Sequence, residues 1–183
     1  MHKIAVTGHT SGIGNLIYSN YNCIGFSRSN GYDLASSDTI DRILLEVKEY
    51  NIFINNAFPY IDETNYKHMH IQTQLLYEIY NNWKDENKLI INIGSNTTDG
   101  IKKDIWPYSA AKESLEKASE QLTYHSGNCY VSLLKLGFVE TDRIVKNFPK
   151  EPKLPLTSLT KSINFIIDNW QSNVKVKELS LIP

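Results

Sequence analysis

Short apolar runs alternate along the chain with longer stretches in which apolar residues recur every three or four positions. The runs Lys3 to Thr7, Cys23 to Phe26, Ile52 to Ile54, Lys88 to Ile93 and Cys129 to Leu136 are continuous enough to be strands buried on both faces. Between them, Asn15 to Tyr21 can be helical, and Ile40, Ile43, Leu44 and Val47 share one helical face. Ile71, Leu75, Leu76, Ile79 and Trp83 form a second such face within about His68 to Trp83, and Leu115, Ala118 and Leu122 a third within Tyr108 to about His125. A last helix is predicted from about Ser158 to Trp170, followed by a strand in Val174 to Ile182. Strand and helix thus alternate five times before that final pair, which predicts an α/β fold, a three-layer doubly wound parallel sheet with right-handed crossovers. The sheet is shortened between the second strand and the following helix. Only Asn30 to Leu34 separates Ser27-Arg28-Ser29 from a helix beginning near Ser37, too little for a further helix and strand.

Composition narrows the class. A chain of 183 residues is the size of one domain with a sizeable core, so residues 1–183 are expected to form a single unit. The formal net charge of -1 offers no basic footprint, and neither nucleic acid nor an anionic membrane is expected as a partner. No apolar stretch approaches the roughly 18 residues of a membrane-spanning helix, and Met1-His2-Lys3 leads straight into the first strand without a secretory pattern. Cys23 and Cys129 sit in apolar runs and read as reduced core residues, which together with the start of the chain predicts a cytoplasmic protein. No metal-ligating cluster is apparent.

The candidate chemistry falls where strands end or helices begin. After the first strand comes Gly8-His9-Thr10-Ser11-Gly12-Ile13-Gly14, and glycines between strand and helix let backbone N–H groups approach a pyrophosphate. The second strand ends at Ser27-Arg28. In a dinucleotide fold a carboxylate at this place binds the ribose hydroxyls and an arginine accommodates a 2′-phosphate, so NADP(H) is favoured over NAD(H), with Asp33 a carboxylate a few positions late. Asn55-Asn56-Ala57 follows the third strand and Gly94-Ser95 the fourth. Tyr108 and Lys112, four apart, share a helical face, where a cation favours the phenolate and brings a tyrosine's pKa toward the working range. In a parallel sheet these ends gather along one edge, although they are spread over the sequence.

Taken together, Thr7-Gly8-His9-Thr10-Ser11-Gly12-Ile13-Gly14, Asn55-Asn56-Ala57, Ile93-Gly94-Ser95 and Tyr108-Ser109-Ala110-Ala111-Lys112 occur in the order and at the spacing of the short-chain dehydrogenase/reductase family. The chain resembles that family over nearly its whole length, which implies a Rossmann-like NAD(P)-binding fold. By this resemblance Thr7, Gly8, Thr10, Ser11, Gly12, Ile13 and Gly14 form the cofactor loop, and Asn55, Asn56 and Ala57 flank the adenosine ribose. Asp33-Leu34 resembles the pair beside the adenine, and Gly137, Val139 and Thr141 match positions near the nicotinamide carboxamide and pyrophosphate. Ser95, Tyr108 and Lys112 resemble the catalytic trio. In that arrangement Tyr108 exchanges a proton with the substrate oxygen, Ser95 holds that oxygen, and Lys112 tunes the tyrosine and binds the nicotinamide ribose.

The sequence departs from the family pattern in several places. Phe58 stands where the family has a glycine after Asn-Asn-Ala, His70 aligns with its helix asparagine that extends the proton relay, and Leu136-Gly137 replaces a proline-glycine pair. Residues 142–156 are what remains of the segment that covers a substrate. The leading expectation is an NADP(H)-dependent oxidoreductase of a small carbonyl or alcohol. The alternatives are a non-catalytic cofactor sensor or interaction protein, and an isomerase or dehydratase that retains its cofactor. The resemblance further implies a homodimer or a tetramer.

Overall fold

A computed structural model describes residues 2–59, 66–101 and 105–183. Six parallel strands, β1 (Ile4–Thr7), β2 (Cys23–Phe26), β3 (Ile52–Asn55), β4 (Leu89–Ile93), β5 (Tyr130–Leu136) and β6 (Glu178–Leu181), pair in the order β2-β1-β3-β4-β5-β6. The chain runs outward from β1 to β2, crosses back to β3 and continues in one direction. The strand order therefore reverses between β1 and β3, and the carboxyl ends there border the crevice in which such sheets hold ligands.

The layers follow from the two-residue period of the strands. Ile4, Val6, Ile52, Ile54, Leu89 and Ile91 point to one face, which is covered by α1 (Gly12–Asn20) and α6 (Leu156–Gln171) through Ile17, Leu159, Ile163, Ile166 and Trp170. Ala5, Phe53 and Ile90 point to the other, covered by α2 (Ser37–Glu46), α3 (Ile71–Trp83) and α4 (Trp106–Tyr124) through Ile43, Leu75, Leu76, Ile79, Trp83 and Leu115. The doubly wound three-layer arrangement expected from the sequence is present. Cys129 is buried and Cys23 half-buried; both are free thiols whose pKa burial pushes up to about 12, which keeps them protonated.

The shortened connection after β2 is closed by side chains. Residues 28–30 make one tight turn in which Asn30 Nδ2 donates to Gly25 O at 2.8 Å while Asn30 Oδ1 accepts from Ser27 N at 2.8 Å. One amide thus supplies a donor and an acceptor at the end of β2, which among the described residues is an edge strand. Tyr32 then packs edge-on against Phe26 at 4.8 Å, and Arg42 from α2 lies 4.5 Å over the Tyr32 ring.

The element ends differ from the sequence expectation in small ways. The first helix starts at Gly12 rather than Asn15, because glycines suppress the periodic signal, and the last strand shrinks to Glu178–Leu181. The segment expected to cover a substrate holds a short helix, α5 (Asp142–Asn147), and a parallel bridge between Val139 and Leu154 that draws its ends together. Among the described residues no helix is long and apolar enough to cross a membrane.

Candidate active site at the carboxyl edge of the sheet

The loop after β1 is shaped for close approach of an anion. Gly8 has φ of +73°, and a Cβ on Gly14 would lie 2.1 Å from Gly8 O, so only glycine lets the loop fold back on the helix start. No acidic residue stands in the first turn of α1, and the hydroxyl of its N-cap, Ser11, makes no capping bond, so the helix start has neither a carboxylate nor a side-chain cap of its own, and Thr10 and Ser11 are exposed beside it. Ile13 is half-buried and packs against the core beneath. Thr141, the residue before α5, lies beside this loop, its methyl 3.6 Å from where a Cβ on Gly12 would stand. These features fit a dinucleotide pyrophosphate.

Thr7 and the Asn55 to Ala57 turn join β1 to β3. The Thr7 hydroxyl accepts from the backbone N–H of Asn56 at 3.0 Å and of Ala57 at 2.8 Å, and Asn56 Nδ2 donates to Thr7 O at 2.9 Å. Asn55, fully buried, donates to Asn92 Oδ1 and to Gln72 O, both at 2.9 Å, while Gln72 Nε2 donates to Asn55 O at 2.7 Å. Asn92 in turn donates to Ser119 Oγ at 3.1 Å. Each buried amide is tied to a different element, which locks β3, β4, α3 and α4 in register behind the crevice.

Ser95 caps the turn 96–99 after β4. Its Oγ accepts from Thr97 N at 3.3 Å and from Thr97 Oγ1 at 3.1 Å, which leaves its own proton to be donated elsewhere. Ser109 Oγ donates to Thr97 O at 2.9 Å, so the first turn of α4 is tied to the turn that carries Ser95. Lys135 of β5, buried, pairs with Asp99 at 2.6 Å and with Glu116 at 3.2 Å, and Glu116 also accepts from Thr98 Oγ1 at 2.6 Å. The turn is thereby anchored to strand and helix at once.

Tyr108 and Lys112 stand on one face of α4, as their spacing predicts, but their partners were not legible in that spacing. Lys112, 3% exposed, donates to Gln72 Oε1 and to Ile93 O, both at 2.8 Å. Burial pushes its pKa down to about 7. Tyr108 is half-buried against the Phe58 ring, and burial raises its pKa, while a hydrogen bond with Ser95 and the charge of Arg143 pull the other way. The lowering expected from Lys112 is not what governs this phenol, because the ammonium is directed at Gln72 and Ile93.

The remaining positions are placed as follows. His70 is the exposed N-cap of α3; that helix reaches Lys112 through Gln72 instead, two residues further on. Ser27 is buried with its hydroxyl shared between Ser29 and Asn30, and Arg28 is exposed beyond it. Asp33 is exposed and accepts from Ala35 N at 3.1 Å, and Leu34 packs beside the α2 layer. Gly137 donates its N–H to Leu181 O at 2.9 Å, and Val139 is buried at its bridge with Leu154. Gln72 and Asn92 were missed, although each is a polar residue inside an apolar pattern. Gln72 shares the stripe of Leu75, Leu76 and Ile79, and Asn92 interrupts the run Leu89 to Ile93.

No family model matches the sequence, and no curated protein matches it either. Solved structures do match the fold. A 4-hydroxyisoleucine dehydrogenase complexed with NADH aligns over 99% of this chain and 97% of its own, at 16% identity and a TM-score of 0.82. The closed form of a serine dehydrogenase complexed with NADP+ aligns over 99% and 94%, at 16% identity and 0.81. A short-chain dehydrogenase/reductase of the glucose/ribitol dehydrogenase type from Brucella melitensis aligns over 99% and 94%, at 16% identity and 0.74. With its strand order, its glycine cradle and these neighbours, the chain has the Rossmann-like fold of the short-chain dehydrogenase/reductases.

Proposed function

We propose that the protein is an NAD(P)-dependent oxidoreductase that interconverts a small carbonyl compound and its alcohol, with Tyr108 as the acid and base. The observation that carries this reading is the convergence of Ser95, Tyr108 and Lys112 at the carboxyl edge of the sheet, near a glycine loop that fits a pyrophosphate. Structural neighbours described with NADH and with NADP+ support a nicotinamide cofactor. The bound nicotinamide supplies or accepts the hydride.

The protein groups handle the proton and the developing charge. Burial keeps the Tyr108 phenol protonated, ready to donate to a carbonyl oxygen in the reductive direction and to accept the proton back in the oxidative one. Ser95, whose oxygen already accepts twice from Thr97, directs its O–H at the Tyr108 oxygen, and a substrate oxygen bound there would take over that hydrogen bond. Lys112, held on Gln72 and Ile93, places an amine at the back of the site that carries positive charge when protonated. Exposed Arg28 at the end of β2 supports a preference for NADP(H), since no carboxylate occupies that place to repel a 2′-phosphate.

Purified protein mixed with NADPH and a panel of aldehydes, ketones and quinones should consume the cofactor. Tyr108→Phe, which removes the proton donor and little volume, should lower turnover by about 10² to 10⁴. Equal turnover in the two proteins would refute the assignment. Tight cofactor binding without hydride transfer on any substrate would favour a cofactor sensor, a reading to which the Phe58 ring lying against Tyr108 and Lys112 lends weight.

A further inference from the structure

Phe58 lies against the two groups on which the proposed chemistry depends. Its ring meets Tyr108 edge to face, with centroids 5.3 Å apart and planes at 84°, and Lys112 Nζ lies 4.8 Å from the centroid of the same ring. Lys112 has three N–H donors. Two are used on neutral acceptors, Gln72 Oε1 and Ile93 O, and among the described residues no third oxygen accepts from it, while the Phe58 ring stands 4.8 Å from Nζ. Among the described residues no carboxylate pairs with it. An ammonium satisfied in this way is under-solvated, and a ligand hydroxyl placed where the ring stands would bind it better than the ring does.

The chain leading to Phe58 is held independently of its ring. The backbone N–H groups of Asn56 and Ala57 are pinned to Thr7 Oγ1 at 3.0 and 2.8 Å, so the chain is fixed up to the residue before Phe58. The β1–β3 junction is thus held by contacts that do not involve the Phe58 ring.

Resting on the oxidoreductase reading above, we infer that Phe58 is an internal stand-in for the ribose of the cofactor's nicotinamide half, covering Lys112 until the cofactor displaces it. Phe58 thereby sets the affinity for that half of the dinucleotide and leaves the adenosine half unaffected. The ring competes with the ligand for one place, so the apparent dissociation constant is the intrinsic one divided by the fraction of molecules with the place open.

The test compares wild type, Phe58→Ala and Phe58→Leu, each checked for folding by circular dichroism. NADPH is titrated by its fluorescence, an adenosine bisphosphate lacking the nicotinamide half is titrated by calorimetry, and Lys112 is labelled with an amine-reactive anhydride and read by peptide mass spectrometry. With the covered state favoured about ten to one, Phe58→Ala binds NADPH about tenfold more tightly and the fragment unchanged. Its Lys112 labels about tenfold faster than in wild type, and NADPH slows the labelling in both proteins. Phe58→Leu, which keeps bulk but has no aromatic face, falls between. Unchanged NADPH affinity with unchanged labelling overturns the inference, and so does weaker NADPH binding in Phe58→Ala, which would make the ring a platform for the cofactor. If no variant binds NADPH the oxidoreductase reading fails, whereas faster Lys112 labelling in Phe58→Ala would still show that the ring covers the lysine.

Discussion

Lys112 provides the sharpest test, because a fully buried ammonium makes stability depend on pH in a direction opposite to that of an ordinary ion pair. Burial lowers its pKa from 10.5 to about 7. Between those values the unfolded chain binds a proton that the folded protein does not, so stability rises with pH across the interval and is lost as pH falls toward 7. Each pH unit within that interval adds about 1.4 kcal/mol. Lys112→Met removes the titrating group and keeps most of the volume. It also leaves Gln72 Oε1 and Ile93 O without their donor, a loss of about 1–3 kcal/mol each that does not vary with pH. Urea unfolding of both proteins between about pH 7.5 and about pH 8.5 should show wild type gaining about 1 kcal/mol relative to the variant. The comparison matters because Cys23 and Cys129, raised to about 12, lose stability as the unfolded thiols ionise, and they do so equally in both proteins. Parallel stability curves would refute the burial argument, and a wild type that weakens relative to the variant as pH rises would refute its sign.

Two further substitutions probe the cofactor side. Gly14→Ala would place a Cβ 2.1 Å from Gly8 O, a backbone atom held by the turn. It should cost about 1–3 kcal/mol in a thermal melt and weaken NADPH binding by more than about tenfold; an unaltered melt and titration would show that the loop has room. Arg28→Ala should weaken NADPH by about 10- to 100-fold and leave NADH nearly unchanged, as expected for one lost charge-assisted contact to a phosphate. Equal weakening of the two cofactors would remove the basis for an NADP(H) preference.

Much of the architecture was legible because it depends on periodicity. Runs buried on both faces, separated by helical stripes, leave few arrangements other than a parallel sheet between two helical layers. The glycine loop and the strand-end residues were legible for a related reason: parallel strands put their carboxyl ends along one edge, whatever the distance between them in sequence. The shared face of Tyr108 and Lys112 also follows from the helical repeat alone.

What the repeat does not contain is the direction in which a long side chain finds its partner. Proximity on a helix predicted that Lys112 would serve Tyr108, yet a buried ammonium goes to the acceptors that satisfy it, and the packed structure offers Gln72 and Ile93. Which residue of α3 faces Lys112 depended on where that helix begins. Its start at Ile71 puts Gln72 on the inner stripe with Leu75, Leu76 and Ile79 and leaves His70 at the exposed cap. Phe58 lies in a turn, where no period constrains a side chain, so only the tertiary structure could set its ring against Tyr108 and Lys112. The sequence by itself determined the sheet, the layers and the edge where chemistry gathers, through patterns that repeat; the partners of the charged and aromatic groups were decided by packing, because a buried polar group is stabilised only by the neighbours that the fold brings to it.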